Sequence, residues 1–171
     1  MSPEASQDLT DRILTVSRVA LFAELKDNPE ALLSLCQIMD TRQWPQGHQL
    51  IREGDTGDEL YILVEGQVSV LRKTPDGEDF KVAILRHEMT PALGEGGLIT
   101  SDARSATVVC DVKSSFLVLH RKKFEEFSKV HPEWAIAILQ KIAIILMGRL
   151  KQVNFDLMLL HQALMREIRG A

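Results

Sequence analysis

The chain is poor in cysteine: two in 171 residues, Cys36 and Cys110, with no Cys-x-x-Cys. That removes redox pairs, zinc ribbons and disulfide-built mini-folds, because each needs sulfur paired or clustered at short spacing. Both cysteines read as reduced thiols of a cytoplasmic protein, a single disulfide between them being the alternative. Long hydrophobic runs are also missing. The longest, Ala135 to Met147, is interrupted by Gln140 and Lys141 and falls short of the roughly 20 residues a bilayer crossing needs. The start, MSPEASQDLTDRILTVSR, has neither the apolar stretch nor the basic lead of a secretory signal, so no membrane partner is expected. A basic excess is absent too: 20 Lys+Arg stand against 24 Asp+Glu, a formal charge of -4. A free-standing nucleic-acid binder usually carries the opposite balance, so nucleic acid is not an expected partner of this chain. With 45% hydrophobic and 26% charged residues, the composition is that of an ordinary soluble domain. The length suits one domain, 1–171, with a core large enough to fold alone.

What is present falls into three zones of different period. From about Asp8 to Asp40 the pattern is helical. Asn28-Pro29-Glu30 supplies a cap, a proline at the first helical position and an acid in the first turn. Leu32, Leu33, Cys36 and Met39 follow at spacings of three and four, predicting one buried face. Ile13, Leu14, Phe22 and Leu25 predict an earlier, shorter helix and a docking segment. From about Gln43 to His120 short strands are predicted at Leu60–Val64, Val68–Leu71, Phe80–Leu85, Ala106–Val112 and Phe116–Leu119. Gly54-Asp55, Gly57-Asp58, Glu65-Gly66 and Pro75-Asp76-Gly77 punctuate them as turns. Many short strands without intervening helices imply an antiparallel barrel or jelly roll.

After Pro132 no proline occurs and the only glycine inside the run is Gly148. A helix over about 133–168 would be roughly 54 Å long. Its first half is apolar almost all round and needs a second surface besides the barrel. From Leu146 a seam forms through Leu150, Val153, Leu157, Leu160 and Leu164, whose alternating gaps of four and three match a left-handed coiled coil. A homodimer through this C-terminal helix is therefore expected; one helix lying across its own barrel is the alternative.

The densest chemistry lies in Leu93-Gly94-Glu95-Gly96-Gly97-Leu98-Ile99, followed by Arg104-Ser105-Ala106-Thr107-Val108. Glycines let main-chain N–H groups converge on an anion. An ionised Glu only accepts hydrogen bonds, which suits a hydroxyl donor. The combination describes a site for a small ligand with one phosphate and a sugar hydroxyl. A buried Arg and a buried Glu are both costly alone; an internal Glu95–Arg104 ion pair is the plain alternative to a ligand site, and a ligand bringing both an anion and a hydroxyl would split that pair and satisfy each member.

At this point the chain resembles the cyclic-nucleotide-binding domain family, over roughly Phe22 to Leu150. Two motifs carry the resemblance. One is Glu53-Gly54-Asp55-x-Gly57-Asp58-x-x-Tyr61-Ile62-Leu63-x-x-Gly66-x-Val68, similar to the glycine-spaced hairpins of that family's β-roll. The other is Gly94-Glu95 with Arg104-Ser105-Ala106-Thr107-Val108, which looks like its phosphate-binding cassette. The resemblance implies an α+β fold: N-terminal helices over 1–42, an antiparallel β-roll or jelly-roll barrel over 43–120 with the cassette at 93–108, and C-terminal helices over 121–171. It implies a non-enzymatic sensor like the regulatory domain of bacterial cAMP-dependent regulators, with a cyclic nucleotide as ligand and no further cofactor or metal. Arg104 would pair with the phosphate oxygens and Glu95 would accept the ribose 2′-OH. Main-chain N–H groups from Gly94, Glu95, Gly96 and Gly97, and from Ser105 and Ala106, would complete the cradle. Ser rather than Thr at 105 leans toward cAMP over cGMP. Base contacts are implied for the long helix, where Arg149 and Asn154 flank the seam; Asn154 is the choice, since an amide both donates and accepts. The chain departs from the family in Glu88-Met89-Thr90-Pro91-Ala92-Leu93, where a Gly-Asp-x-Phe lead is usual, at Gly96, a common aliphatic, and at Ala103, where Pro often precedes the Arg.

Other residues receive plainer readings. Glu53, Asp55, Asp58 and Glu59 do not fit the spacing of a Ca²⁺ loop and read as surface turn carboxylates. The five histidines show no metal or catalytic spacing. Arg121-Lys122-Lys123 reads as a solvated basic run. Two rival functions remain: a fragment or relative of a cAMP-dependent transcription regulator without its helix-turn-helix, since only seven residues follow Leu164, and an interaction module with a vestigial nucleotide site that recruits a downstream protein.

Overall fold

The computed structural model describes the backbone of residues 3–170 and the side chains of residues 9–169. Helix α1 (Pro3–Arg18) leads through a 3₁₀ turn, Ala20–Leu25, into α2 (Pro29–Ile38). The α2 start follows the predicted chemistry. Asn28 is extended, its side chain accepts from the Ala31 N–H at 3.0 Å, and Pro29 opens the helix. Such a cap contributes about 1 kcal/mol. Asn28→Ala is therefore expected to lower the melting temperature by about 2–4 °C, read by calorimetry or circular dichroism; an unchanged midpoint would show that the cap does not hold this helix. The sequence places Leu14 on a buried face, but it is half exposed and Val16 is the buried contact.

Eight antiparallel strands follow among the described residues: β1 (Asp40–Trp44), β2 (Gln49–Ile51), β3 (Glu59–Glu65), β4 (Gln67–Lys73), β5 (Asp79–Arg86), β6 (Ala92–Leu93), β7 (Thr107–Cys110) and β8 (Ser114–His120). They form two four-stranded sheets, ordered β1-β8-β3-β6 and β2-β7-β4-β5. Five of these strands fall where periodicity predicts them. The predicted helical zone, 1–42, runs too far: α2 ends at Ile38 and β1 begins at Asp40. Its sequence, Asp-Thr-Arg-Gln-Trp, lies at a sheet edge with its middle residues exposed, so no alternation of apolar residues betrays it. The two- and three-residue strands β6 and β2 are too short for a period.

β3 and β8 are buried along most of their length because both of their faces are covered. Alternation then sorts their side chains between two cores. Leu60, Ile62, Leu117 and Leu119 join the helices in one cluster. Tyr61, Leu63, Phe116 and Val118 fill the space between the sheets with Val68, Val108 and Cys110. Trp44 closes that second core, edge-on to Phe116 at 5.4 Å and to Tyr61 at 5.9 Å between ring centroids. Both cysteines are free and buried, in separate clusters, so the disulfide alternative is not realised. Burial pushes the Cys36 thiol up to about 11.

Helix α3 (Arg121–Val130) follows β8 directly, and α4 runs unbroken from Pro132 to Gly170, 39 residues. Ala135, Ile138 and Ile142 of α4 are buried against the helical cluster. The opposite side is bare: Ile136, Ile144 and Met147 are each more than half exposed. The predicted seam is exposed from Leu146 to Leu164, at 43–68% for its six members. No helix among the described residues is long and apolar enough to cross a membrane.

Candidate functional site

Arg104 sits in the segment between a 3₁₀ turn, Glu95–Leu98, and β7. Its main chain is fixed first. The Arg104 N–H donates to Asp55 O at 2.8 Å, and the Gly54 N–H donates to Arg104 O at 2.9 Å. The half-buried side chain then runs inward, where Nη1 donates to Gly94 O at 2.9 Å and Nη2 to Glu59 O at 2.7 Å. Three glycines make room for it. A Cβ on Gly57 would lie 2.6 Å from Nη2, one on Gly94 2.5 Å from Nη1, and one on Gly97 2.8 Å from Nη1. Gly94 also stands at φ +74°, a conformation that disfavours any side chain. Gly57 of the first motif and Gly94 and Gly97 around the second, distant in sequence, thus converge on one guanidinium. Gly96 differs: it is exposed, and a Cβ there would meet nothing.

The alternative Glu95–Arg104 pair is not formed. Glu95, with only 12% of its side chain exposed, accepts instead from Nη1 of Arg149 on α4. Among the described residues no carboxylate forms a salt bridge with Arg104, whose partners are neutral carbonyls. The reason is geometric: Arg104 is drawn toward β3 and Gly94 by carbonyls behind it, while α4 brings a second cation to Glu95. A half-buried guanidinium without a counter-charge is a strong attractor for an anion.

Between these groups lies a cavity of about 530 Å³. Gly94, Glu95, Arg104, Ser105, Ala106 and Arg149 supply its polar part, and Ile51, Val70, Ala83, Leu85 and Val108 form an apolar wall. Among the described residues neither the Ser105 nor the Ala106 N–H donates a hydrogen bond, so both are available to a ligand. The Glu88–Leu93 lead contributes Met89 to Leu93 to the lining, with Thr90 at φ 43° and its hydroxyl donating to Arg18 O at 3.1 Å. Asn154 is exposed and lies outside this lining. Five residues beyond Arg149 on a helix amount to about 140° of rotation, so the two flanking residues cannot face one cavity. Arg149 is the one that reaches it.

Sequence reasoning missed the support behind Arg104. Glu59, read as a surface turn carboxylate, has its side chain 20% exposed and accepts from Arg42 Nη1 at 3.2 Å and from the Tyr61 hydroxyl, with His120 Nε2 lying 3.3 Å away. Its main-chain carbonyl is the one that takes Arg104. Burial, followed by the bond to Glu59, raises the Tyr61 pKa, so the hydroxyl stays protonated and donates. Lys123, from the supposedly solvated basic run, bonds Asp40 at 2.9 Å and holds that carboxyl below its ordinary value. A glutamate one residue after a Gly-Asp turn, on a strand that begins buried, was the available signal.

A two-sheet β-roll carries a glycine-walled arginine, and one long helix closes the cavity in front of it. The profile of the cyclic nucleotide-binding domain family matches residues 41–131, just over half the chain, and the protein belongs to that family. A CRP-like cAMP-activated global transcriptional regulator of Mycobacterium tuberculosis is 28% identical over 149 residues, 86% of this chain and 61% of that one. A cyclic nucleotide-gated potassium channel of Rhizobium etli is 33% identical over 132 residues, 77% of this chain and 34% of the channel. Among solved structures, the N-terminal domain of a transcriptional regulator from Streptomyces coelicolor superposes with a TM-score of 0.69 at 31% identity, covering 84% of this chain and 94% of that domain. The catabolite activator protein of Thermus thermophilus gives 0.72 at 27% identity, covering 82% and 62%. The chain thus spans about 61% of the length of its curated regulator relative.

Proposed function

We propose that this chain is a non-enzymatic cyclic-nucleotide sensor that favours cAMP over cGMP, works in the cytoplasm and dimerises through α4. The observation that carries the reading is Arg104: a half-buried cation without a carboxylate partner, walled by three glycines, opening on a cavity with free main-chain donors at Ser105 and Ala106. A cyclic phosphate there would accept from Arg104 and those N–H groups. The ribose 2′-OH would donate to Glu95, replacing or sharing the bond that Arg149 now makes. Because Arg149 belongs to α4, the ligand has a direct purchase on the helix that carries the seam. A ligand shifts such an equilibrium only by its preference for one arrangement, and loss or retention of the Arg149 bond supplies that preference.

The apolar wall stacks a purine but offers little to tell adenine from guanine. Asn154, exposed and outside its own cavity, would in this reading meet the base bound to a second copy across the seam, which would make selectivity a property of the dimer. Calorimetry tests the reading: saturable heat is expected with both nucleotides, tighter for cAMP. No saturable heat from either, at micromolar protein and excess ligand, would overturn it.

A further inference from the structure

Arg121, the first residue of α3, does not line the cavity, yet it holds the cassette from behind. Its Nε donates to Gly97 O at 2.7 Å, its Nη1 to Ser101 Oγ at 2.7 Å and its Nη2 to Thr100 O. Its own N–H donates to Asp58 O at 2.8 Å. These contacts fall on the neighbours of Arg104. Gly97 is one of the three glycines against the Arg104 guanidinium, and Asp58 follows Gly57, which is another.

Besides Arg121, the stretch that it grips is held at its start, where the Ile99 and Thr100 N–H groups both donate to Gly96 O at 2.9 Å. Residues 99–103 are exposed and belong to no helix or strand, apart from a single bridge between Ala103 and Thr56. The Asp102 N–H reaches only the Thr100 hydroxyl, at 3.3 Å. Three donors of one planar guanidinium, fixed on two carbonyls and a hydroxyl within five residues, restrain that loop in a way no point charge could.

We infer that Arg121 is a positioning residue for the nucleotide site: it sets the distance between the Gly97 wall and Arg104, and so the readiness of Arg104 for a phosphate. The inference rests on the cyclic-nucleotide reading above. A misplacement near 1 Å costs up to about 100-fold where groups must converge on one ligand. Arg121→Met, which keeps the stem and removes the fork, is therefore expected to weaken cAMP binding by roughly 10- to 100-fold. Arg121→Lys, retaining one charged donor, should recover part of that loss. In an Arg104→Ala background the Arg121→Met change should cost little more, because the effect passes through Arg104.

The experiment is titration calorimetry of the full chain with cAMP, across wild type, the two Arg121 variants and the double variant. Hydrogen exchange at 97–104 in the ligand-free proteins runs alongside, with faster exchange expected in Arg121→Met. A general loss of packing would lower the melting temperature without this coupling to Arg104. Affinity within twofold of wild type in Arg121→Met, unchanged exchange at 97–104, or a full additional loss in the double variant each overturns the inference. Should Arg121→Met fail to fold, wild-type affinity in Arg121→Lys overturns it equally. A wild-type chain that binds neither nucleotide sinks the sensor reading itself, an outcome distinct from a wild type that binds and an Arg121 variant that binds as well.

Discussion

Arg104→Ala is expected to weaken cyclic-nucleotide binding by about 100-fold, to a level that calorimetry at raised protein and ligand concentration still reads. Hydrogen bonds to a charged partner contribute about 1.5–3 kcal/mol each, and a guanidinium facing a phosphate makes two in parallel. About 2.8 kcal/mol already corresponds to 100-fold. The loss also has a cost in the free protein. Gly94 O and Glu59 O each surrender a donor, and the space walled by Gly57, Gly94 and Gly97 empties. Calorimetry with cAMP reads the first effect and thermal unfolding the second. Arg104→Lys separates them: a point charge retains attraction but not the fork, so binding should return only partly. Binding of Arg104→Ala at wild-type strength would remove the central residue from the proposed site.

Leu157→Glu is expected to dissociate the dimer proposed to form through α4. Burying a leucine contributes about 1.5–3 kcal/mol. A two-fold axis repeats the change on both helices, which gives roughly 4 kcal/mol, or about 1,000-fold in the dissociation constant. Leu150, Val153, Leu157, Leu160 and Leu164 are all more than half exposed in one chain, and a continuous apolar stripe of that length calls for a partner. Sedimentation across a concentration series, with and without cAMP, reads the outcome. If the wild-type chain is monomeric at every concentration, or Leu157→Glu leaves the association unchanged, the seam is not the interface. Glu95–Arg149 then becomes informative. Since Arg149 stands one residue before Leu150 on the seam, ligand at Glu95 and association through α4 should influence each other by equal factors.

The parts of the site that were legible in the sequence are those set by local pattern. Asn28-Pro29-Glu30 announced α2, Pro75-Asp76-Gly77 announced the β4–β5 turn, and the spacing from Leu146 to Leu164 announced an apolar seam. Gly94-Glu95 and Arg104 pointed to the cavity that they do line. β1 was missed because a polar edge strand with one sheet neighbour carries no alternation to detect. The fate of the charged residues was misjudged for another reason. Glu95 meets Arg149, 54 positions away, rather than Arg104, nine positions away, the partner that the plain alternative to a ligand site gives it. Arg121 and Lys123 were given to solvent, and they hold a loop and a strand.

The amino-acid order by itself determined which segments would be helix, strand or turn, and where an anion site with its glycines would stand. Those properties depend on neighbours within a turn or a hairpin, and periodicity records them. The tertiary structure alone decided the partners: Arg104 on the carbonyls of Gly94 and Glu59, Glu95 on Arg149, Arg121 on the 97–101 loop. Long charged side chains reach many acceptors from a given backbone. Only the approach of distant segments, driven by burial of the two cores, removes the competing choices and leaves one cation facing the cavity without a counter-charge.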